Sequence, residues 1–268
     1  MNEINDVIKY FPSNIQNVLK EVLTSNPTFE EDLQEIRIRG EKPIFLKFAN
    51  SSVGIDYIVS QNDLLQLLER ICENSIYAYK NQICNGFITI KGGHRIGIVG
   101  TVVVENEKVI NIKYVTSLNF RIARQVLDSS NKVLKEIINL ENKTIYNTLI
   151  VSPPGKGKTT ILRDAIRKLS NGIKDINFSG KTCGLVDERG EIAAMYRGIP
   201  QNDVGMRTDI VDNINKSEGI KMLIRSMAPE IIACDEIGSK EDVEAIEYAL
   251  HSRSKRNFYN AWKKYWRC

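Results

Sequence analysis

The stretch that decides the fold is residues 144–160, TIYNTLIVSPPGKGKTT. An apolar run, Ile145 to Val151, precedes a loop rich in proline and glycine, and Lys158 with two threonines then opens a helix-forming segment. This order of strand, loop and helix is the context required of a phosphate-binding P-loop. A polyphosphate needs several N–H donors that converge on one point, and a glycine-rich turn at a helix N-terminus supplies them. The stretch therefore predicts a nucleotide site.

The predicted cofactor-binding residues are Ser152, Pro153, Pro154, Gly155, Lys156, Gly157, Lys158, Thr159 and Thr160. Glycines in such a loop allow close approach of the backbone to phosphate. We expect Lys158 to reach the β- and γ-phosphates of ATP and the Thr159 hydroxyl to bind Mg²⁺. The pattern G-x-x-x-x-G-K-[ST] begins with glycine, whereas this chain has Ser152, so the site is a variant. The alternative is a glycine-rich turn that precedes a helix and binds nothing.

A second motif is an apolar strand that ends in two acids, EIIACDE at residues 230–236. This is the pattern of a Walker B segment, in which Asp235 holds Mg²⁺ and Glu236 positions and polarises the attacking water. Alone, the pattern often marks only a strand that meets its loop. Downstream of a P-loop it gains weight, because hydrolysis requires both a phosphate clamp and a metal-held water. The second acid favours turnover of ATP over passive binding.

A short predicted strand, Thr182 to Val186, delivers Asp187, Glu188 and Arg189 at its carboxyl end. In an open parallel sheet that end borders the ligand crevice. Asp187 is therefore a candidate Mg²⁺ ligand, and Glu188 a candidate catalytic carboxylate. The alternative is that these carboxylates accept hydrogen bonds from a turn.

Three arginines lie between residues 187–189 and the Walker B segment, at Arg197, Arg207 and Arg225. A guanidinium that reaches the γ-phosphate, in its own chain or from an adjacent subunit, would stabilise the negative charge that develops there. Arg207 and Arg225 are the candidates for this catalytic role, and spacing does not distinguish them. Ordinary salt bridges are the alternative.

Composition limits the class of protein. With 268 residues, 42% of them hydrophobic, the chain can bury a core in one large domain or two ordinary ones. No run approaches the ~18 apolar residues of a membrane span, and the N-terminus has no secretory pattern. Five scattered cysteines without a C-x-x-C pair indicate a reducing cytosol, without zinc or disulfides. We therefore expect a cytoplasmic protein.

The net charge of +4 is unevenly distributed. Six of the 37 basic residues lie in the last sixteen positions, so the rest of the chain carries 31 basic against 33 acidic side chains. The body of the chain therefore gives no strong nucleic-acid signal.

The first 125 residues predict a smaller α+β domain. A helix is expected over Phe11–Leu23, strands over Glu35–Arg39 and Ile44–Phe48, and a further helix capped by Ser60. The glycine-rich region that begins at Gly86 predicts short strands separated by turns. After it we expect an α/β P-loop domain with a parallel sheet at residues 126–252, followed by a basic and aromatic tail at 253–268.

Several runs carry a family resemblance: LQEIRIRGEKPIFL, GFITIKGGHRIGIVGTVV, TSLNFRIAR, PPGKGKTTILRDAIRKLS, GLVDERGEIAA, MRTDI, EGIKMLIRSMAPEIIACDEIG and EDVEAIEYAL. Together they resemble the stage III sporulation protein AA family from Leu33 to about Ser252. That family is similar to the RecA/AAA+-like motor ATPases of type II and type IV secretion systems. The resemblance gives the Walker roles to Lys158, Thr159, Asp235 and Glu236, and it matches residues 187–189 to an acidic motif of the family.

The same resemblance implies a function and partners. It implies a cytoplasmic ATPase of the mother cell in endospore-forming bacteria, hexameric and peripheral at the mother-cell side of the forespore membrane. Membrane-embedded sporulation channel proteins would be its partners. Two other functions stay open. One is a nucleic-acid-dependent ATPase that grips a strand with the N-terminal β region or with Arg37 and Arg39, and the other is a scaffold whose assembly is gated by nucleotide without turnover.

The sequence departs from the family pattern after EDVEAIEYAL. The family continues into a further strand with a Thr/His-containing segment, whereas this chain continues HSRSKRNFYNAWKKYWRC, which contains both tryptophans. One hypothesis is that residues 253–268 are an out-of-frame ending or a truncation. The alternative is a tail that docks on anionic lipid or nucleic acid. Sequencing the gene past codon 252 decides between them.

Overall fold

The computed structural model describes residues 3–26, 28–153 and 155–252, so Pro154 and the tail at 253–268 lie outside the described residues. The chain divides into two compact units, and the second begins at Gln125. Each unit has hydrophobic clusters of its own. Among the helices described, none is long and apolar enough to cross a membrane.

The first unit is built on an antiparallel sheet. Its elements in chain order are α1 (Glu3–Ile8), α2 (Ser13–Thr24), α3 (Phe29–Asp32), β1 (Leu33–Arg39), β2 (Pro43–Phe48), β3 (Ser52–Ile58), α4 (Gln61–Ile71), a 3₁₀ turn (Ile76–Tyr79), α5 (Lys80–Cys84), β4 (Phe87–Thr89), β5 (Arg95–Glu105) and β6 (Lys108–Arg121). The described strands lie in the order β3-β2-β1-β6-β5-β4. Apolar side chains of the helices and of alternate strand positions form the core.

Sequence patterns correctly predicted several of these helices and strands. The predicted helix before residue 24 and the first two strands are confirmed. Ser60 caps α4 as expected: its Oγ accepts the Asp63 N–H at 3.1 Å, and the Asp63 carboxylate accepts the Ser60 N–H at 2.9 Å. On β1, Arg37 donates to the Glu35 carboxylate at 2.6 Å. That pairing accords with a solvated strand face.

The prediction of short strands separated by turns after Gly86 holds for β4, which has three residues, but it is wrong for β5 and β6, which form one long hairpin of 11 and 14 residues. Asn106 and Glu107 at its tip both have positive φ, as a tight hairpin turn requires. Gly100 lies inside β5 at a register shift, where a Cβ would come 1.9 Å from the Tyr114 carbonyl oxygen. Here a glycine marks a close backbone approach rather than a strand end.

The second unit is built on a parallel sheet. Its elements are α6 (Asn131–Ile137), β7 (Ile138–Asn139), β8 (Thr144–Ile145), α7 (Lys158–Asn171), β9 (Gly172–Ile173), a 3₁₀ turn (Lys174–Ile176), β10 (Phe178–Ser179), β11 (Cys183–Asp187), β12 (Met195–Tyr196), β13 (Ile199–Pro200), β14 (Thr208–Asp212), α8 (Lys216–Ser226), β15 (Ile231–Cys234) and α9 (Lys240–Ser252). The described parallel strands lie in the order β14-β11-β15. β11 pairs in parallel with both neighbours.

Helices cover both faces of this parallel sheet. On β15, Ile231 and Ala233 pack in the cluster that contains Ile166 of α7. Ile232 and Cys234 point the other way and pack with residues of α8 and α9. Successive side chains of a strand point to opposite faces, so this alternation is expected of a strand that is covered on both sides. The predicted α/β class of this unit is confirmed.

One predicted element is wrong: the apolar run before the P-loop is not a strand of this sheet. Only Thr144 and Ile145 are in a strand, and they pair in antiparallel fashion with β7. The following residues include Leu149, which is 60% exposed, and Val151, which is 81% exposed. The run therefore begins in a small hairpin with β7, and two of its later apolar side chains are exposed.

Asp164 of α7 anchors the segment that leads into α6. It is only 1% exposed, and its carboxylate accepts the N–H groups of Asp128 at 3.1 Å and Ser130 at 2.9 Å, and the Ser130 hydroxyl at 2.6 Å. Arg167 donates to it at 2.7 Å. Burial alone would raise the pKa of Asp164, but these donors outweigh it and lower the pKa to about 2 from 3.8.

We expect Asp164→Asn to destabilise the protein by about 2 kcal/mol at pH 7, since the carboxylate is held ionised in the folded chain. The folded pKa lies below the unfolded one, so this contribution is complete above pH 3.8 and is lost as the pH falls toward 2. Urea unfolding at pH 7 and at acid pH measures it. Asp175→Asn, at an exposed acid of the same unit, is the control. Equal midpoints for the Asp164 variant and the wild type at pH 7 would contradict the assignment.

Candidate functional site

The loop before α7 turns at two glycines. Gly155 and Gly157 have φ of 72° and 83°, in the left-handed region that favours glycine. Gly157 is the N-cap of α7, which begins at Lys158. A Cβ at either glycine would meet no atom of the described chain within 4 Å. The glycines are therefore required by the backbone conformation of the turn and not by a neighbouring atom, and the space beside them is open.

The side chain of Lys158 folds back over this loop. Its Nζ donates to the carbonyl oxygens of Ser152 at 2.7 Å and Pro153 at 3.1 Å. Gly155, Lys156 and Gly157 are exposed, whereas Ser152, Lys158, Thr159 and Thr160 are half-buried. The Lys158 ammonium group therefore lies over the loop, next to the first turn of α7, whose N–H groups have no partners within the helix. A phosphate-binding loop uses these same groups.

Acids collect at the carboxyl edge of the parallel sheet. Asp187 ends β11 and is paired with Asp212, which ends β14, while Val186 is paired with Cys234 of β15. Asp235 therefore follows β15 at the level of Asp187. Burial raises the pKa of Asp235, and it also raises the pKa of Asp212, which Asp187 raises further.

Asp187 is fully buried and holds a loop. Its carboxylate accepts the backbone N–H groups of Glu191 at 2.9 Å, Ile192 at 3.1 Å and Ala193 at 2.8 Å. Arg163 of α7 donates to the carbonyl oxygens of the same loop, at 2.7 Å to Ile192 and 2.6 Å to Glu191. Asp187 thus accepts hydrogen bonds from a turn, which is the alternative interpretation of its motif. Through this loop the end of β11 is connected to the P-loop helix. These contacts give no support to its predicted role as a Mg²⁺ ligand.

We expect Asp187→Ala to lower the stability of the protein by about 3 kcal/mol, because several buried N–H groups lose their acceptor. Chemical unfolding measures this loss. The Mg²⁺ dependence of nucleotide binding, measured under native conditions, should stay close to that of the wild type. Asp209→Ala, at an exposed acid of β14, is the control. A variant with wild-type stability and a raised Mg²⁺ requirement would restore Asp187 as a metal ligand.

Lys216, at the start of α8, is a site residue that sequence reasoning missed. It is 4% exposed, and its Nζ lies 2.8 Å from Glu188, 3.2 Å from Asp235 and 3.9 Å from Asp242. Burial alone would lower the pKa of Lys216, but Glu188 and Asp235 outweigh it and raise the pKa. One signal could have found it: a cation at a helix N-terminus opposes the helix dipole, and so indicates acidic neighbours.

Glu236 stands at the same edge with its carboxylate open to solvent. Its Oε2 accepts from Arg189 at 2.9 Å, in a pair whose side chains are 68% and 60% exposed. Exposed ion pairs contribute little to stability. Glu236 is therefore accessible to a water or a ligand, as its predicted catalytic role requires.

The residues at this edge fit a Mg²⁺ ion. Asp235 Oδ1 is buried and accepts no hydrogen bond within the described residues, although Lys216 lies 3.2 Å away as an ion-pair partner. In the same part of the chain, no group of three or more His, Cys, Asp or Glu side chains could hold a metal by itself. Mg²⁺ commonly uses one or two carboxylates together with substrate phosphates and waters. A single under-bonded carboxylate suits that arrangement.

The structure does not bring Arg207 or Arg225 to the acids of its own chain. Arg207 donates to the Ser170 carbonyl at 2.9 Å, near the C-terminal end of α7. That helix of 14 residues is about 20 Å long, and Lys158 is at its other end. Arg225 is exposed in the last turn of α8, the helix that has Lys216 at its first position. Both arginines precede a parallel strand, and so lie toward the edge opposite the acids.

Comparison with known proteins shows the family. A family model described as "Sporulation stage III, protein AA" matches residues 2–257. Stage III sporulation protein AA of Bacillus subtilis (strain 168) is 40% identical over 252 residues, which are 94% of this chain and 78% of that protein. The predicted family resemblance is confirmed.

Solved structures show the same fold at low identity. The ATPase DotB of Legionella pneumophila has a TM-score of 0.53 and is 16% identical, with 90% of this chain and 64% of that chain covered. The pilus retraction motor PilT, solved with bound ADP, has a TM-score of 0.52 and is 12% identical, with 85% and 63% covered. The chain thus spans less than two thirds of either structure. The predicted class, an α/β P-loop NTPase fold with a parallel sheet, is confirmed, and the chain belongs to the stage III sporulation protein AA family.

Proposed function

We propose that this protein is a Mg²⁺-dependent ATPase. The observation that carries the proposal is the contact between the P-loop helix α7 and the carboxyl end of β11. Arg163 of α7 donates to carbonyl groups of the loop that Asp187 holds there. Asp235 and Glu236 follow the neighbouring parallel strand β15, at the same edge. A phosphate-binding loop and a pair of acids at one edge of a parallel sheet are the parts that ATP hydrolysis needs.

Each residue of this site has a role in the proposed reaction. Lys158 and the N–H groups of the first turn of α7 bind the β- and γ-phosphates. Thr159 and Asp235 would hold Mg²⁺, which when bound neutralises charge on the phosphates. Glu236 orients a water molecule for attack in line with the γ-phosphate and accepts its proton.

We further propose that the active form is an oligomer, with a hexamer as the expected state. An arginine supplied by an adjacent subunit would complete each site, since neither Arg207 nor Arg225 lies at the acids of its own chain. Structures with a similar fold are named as an ATPase and as a retraction motor. Family membership then favours a motor that acts in the cytoplasm of the mother cell, on membrane-embedded sporulation channel proteins at the forespore membrane.

The test is phosphate release by the purified full chain, measured with Mg²⁺ and with EDTA while the mass of the assembly is followed by light scattering. We expect release that needs Mg²⁺ and rises with the oligomeric fraction. ATP-driven assembly without phosphate release would favour a nucleotide-gated scaffold instead. Absence of ATP binding at any Mg²⁺ concentration would contradict the proposal.

A further inference from the structure

Lys216 holds together three elements of the second unit through one buried ammonium group. Glu188 follows β11, Asp235 follows β15, and Asp242 lies in the first turn of α9. The three carboxylates lie 2.8, 3.2 and 3.9 Å from Nζ. One positive charge therefore faces three negative ones; the side chains of Asp235 and Asp242 are 10% exposed and that of Glu188 is 36% exposed. This excess of negative charge favours a further cation.

The three carboxylates differ in how well they are satisfied. Asp242 also accepts the N–H groups of Gly238 at 3.0 Å and Ser239 at 3.1 Å, as a helix cap. Glu188 makes the short hydrogen bond to Lys216. Asp235 has the ion-pair contact, but its buried Oδ1 accepts no hydrogen bond within the described residues. A cation that enters this group would therefore take Asp235 with the smallest loss of existing bonds.

We propose that Lys216 is a positioning residue that serves as a resident counter-cation for Asp235. Before Mg²⁺ arrives, its ammonium group holds the Asp235 carboxylate in place at the end of β15. With Mg²⁺ present, Asp235 would serve as its ligand and Lys216 would keep its contacts with Glu188 and Asp242. This inference rests on the proposed function. It adds to that function a residue, Lys216, that competes with Mg²⁺ for the Asp235 carboxylate.

The exchange has a structural consequence. Lys216 is the first residue of α8 and Asp242 lies in the first turn of α9. With Mg²⁺ on Asp235, the contact of Lys216 with the residue after β15 would end, while its contact with Glu188 after β11 would remain.

The test uses Lys216→Met, which keeps the length of the side chain and removes its charge. Without the ammonium group the carboxylates repel one another, so in EDTA the melting temperature should fall by on the order of 10 °C. Millimolar Mg²⁺ without nucleotide should recover part of that loss. Lys221→Met is the matched control, since Lys221 lies on the same helix in a partly exposed pair with Glu218. We expect little change in that control.

A second measurement is the Mg²⁺ concentration needed for half-maximal binding of a fluorescent ATP analogue. Removal of a competing positive charge about 3 Å from Asp235 should lower this midpoint about tenfold or more. Lys216→Arg, which keeps the charge, should stay near the wild type. Equal melting temperatures in EDTA for Lys216→Met and Lys221→Met, or a midpoint that is unchanged or raised in Lys216→Met, would overturn the proposal.

Two further outcomes separate this inference from the proposed function. If Lys216→Met does not fold, Glu188→Gln provides the test: Lys216 then binds Asp235 more tightly, so the Mg²⁺ midpoint should rise, and an unchanged or lower midpoint overturns the inference. If the wild type binds no ATP analogue at any Mg²⁺ concentration, the ATPase proposal fails. The melting experiments in EDTA and Mg²⁺ still decide whether Lys216 holds the acids.

Discussion

Replacement of Glu236 by glutamine is expected to reduce ATP turnover by roughly 10²–10⁴-fold, the usual contribution of a general base. Glutamine has the same shape as glutamate but cannot accept the proton of the attacking water. The carboxylate is open to solvent and its ion pair with Arg189 is exposed, so the fold should be unchanged. Binding of ATP in the presence of Mg²⁺ should stay within a few-fold of the wild type. Phosphate release and equilibrium nucleotide binding, measured on the same preparation, separate the two effects.

Glu241→Gln is the matched control for this experiment, since Glu241 is an exposed acid in the first turn of α9. It removes an equal charge a few residues away, and its turnover should match that of the wild type. If Glu236→Gln hydrolyses ATP at the wild-type rate, Glu236 is not the catalytic carboxylate. A loss of ATP binding that parallels the loss of turnover would assign Glu236 to binding instead of catalysis.

Replacement of Lys158 by alanine is expected to weaken ATP binding by roughly 10²-fold, because charge-assisted hydrogen bonds to phosphate contribute about 1.5–3 kcal/mol each. Turnover should fall below detection, because the same ammonium group stabilises the transferred phosphoryl group. In the folded chain Lys158 already lies over the loop, where it donates to the Ser152 and Pro153 carbonyl groups. The side chain is therefore held near the phosphates before nucleotide binds. Isothermal titration with ATP and Mg²⁺ measures the affinity.

Lys174→Ala controls for the loss of a positive charge, since Lys174 is exposed on the 3₁₀ turn after α7. Its affinity for ATP should equal that of the wild type. Thermal melting without nucleotide shows whether Lys158→Ala is folded, because the two hydrogen bonds to the loop are lost as well. Wild-type affinity in a folded Lys158→Ala variant would mean that the glycine-rich turn is not the phosphate site.

Features that depend on neighbouring residues could be predicted from the sequence. The start of α7 after Gly157 and its end at Gly172 follow from the preference of glycine for left-handed backbone. The apolar strand before Asp235 follows from its composition, and Ser60 is recognisable as a helix cap. Each of these signals lies within a few residues of the element that it predicts.

Features that depend on distant partners could not be predicted in this way. The motif at residues 187–189 reads only as polar residues after a strand, yet Asp187 binds a loop that follows it and Glu188 binds Lys216 on another helix. The run before the P-loop has the composition of a strand, but its pairing depends on β7. The hydrogen bond from Arg207 to the Ser170 carbonyl places Arg207 near the end of α7 opposite Lys158, and the spacing of the sequence does not contain that contact. The sequence predicts which residue types lie at the carboxyl edge of the sheet, whereas tertiary contacts determine which of them are in contact.

Asp187, the last residue of β11, and the two residues after it limit the changes of length that this part of the sequence can accept. Asp187, Glu188 and Arg189 are consecutive, yet they bind a backbone loop, Lys216 and Glu236 respectively. Successive side chains of a strand point to opposite faces, so insertion or deletion of one residue in β11 would turn Asp187 away from its loop. The same change would displace Glu188 and Arg189, which follow the strand, from their partners. Single substitutions can remove these contacts one at a time, whereas a length change removes them at once. The spacing from Cys183 to Arg189 should therefore tolerate no indel.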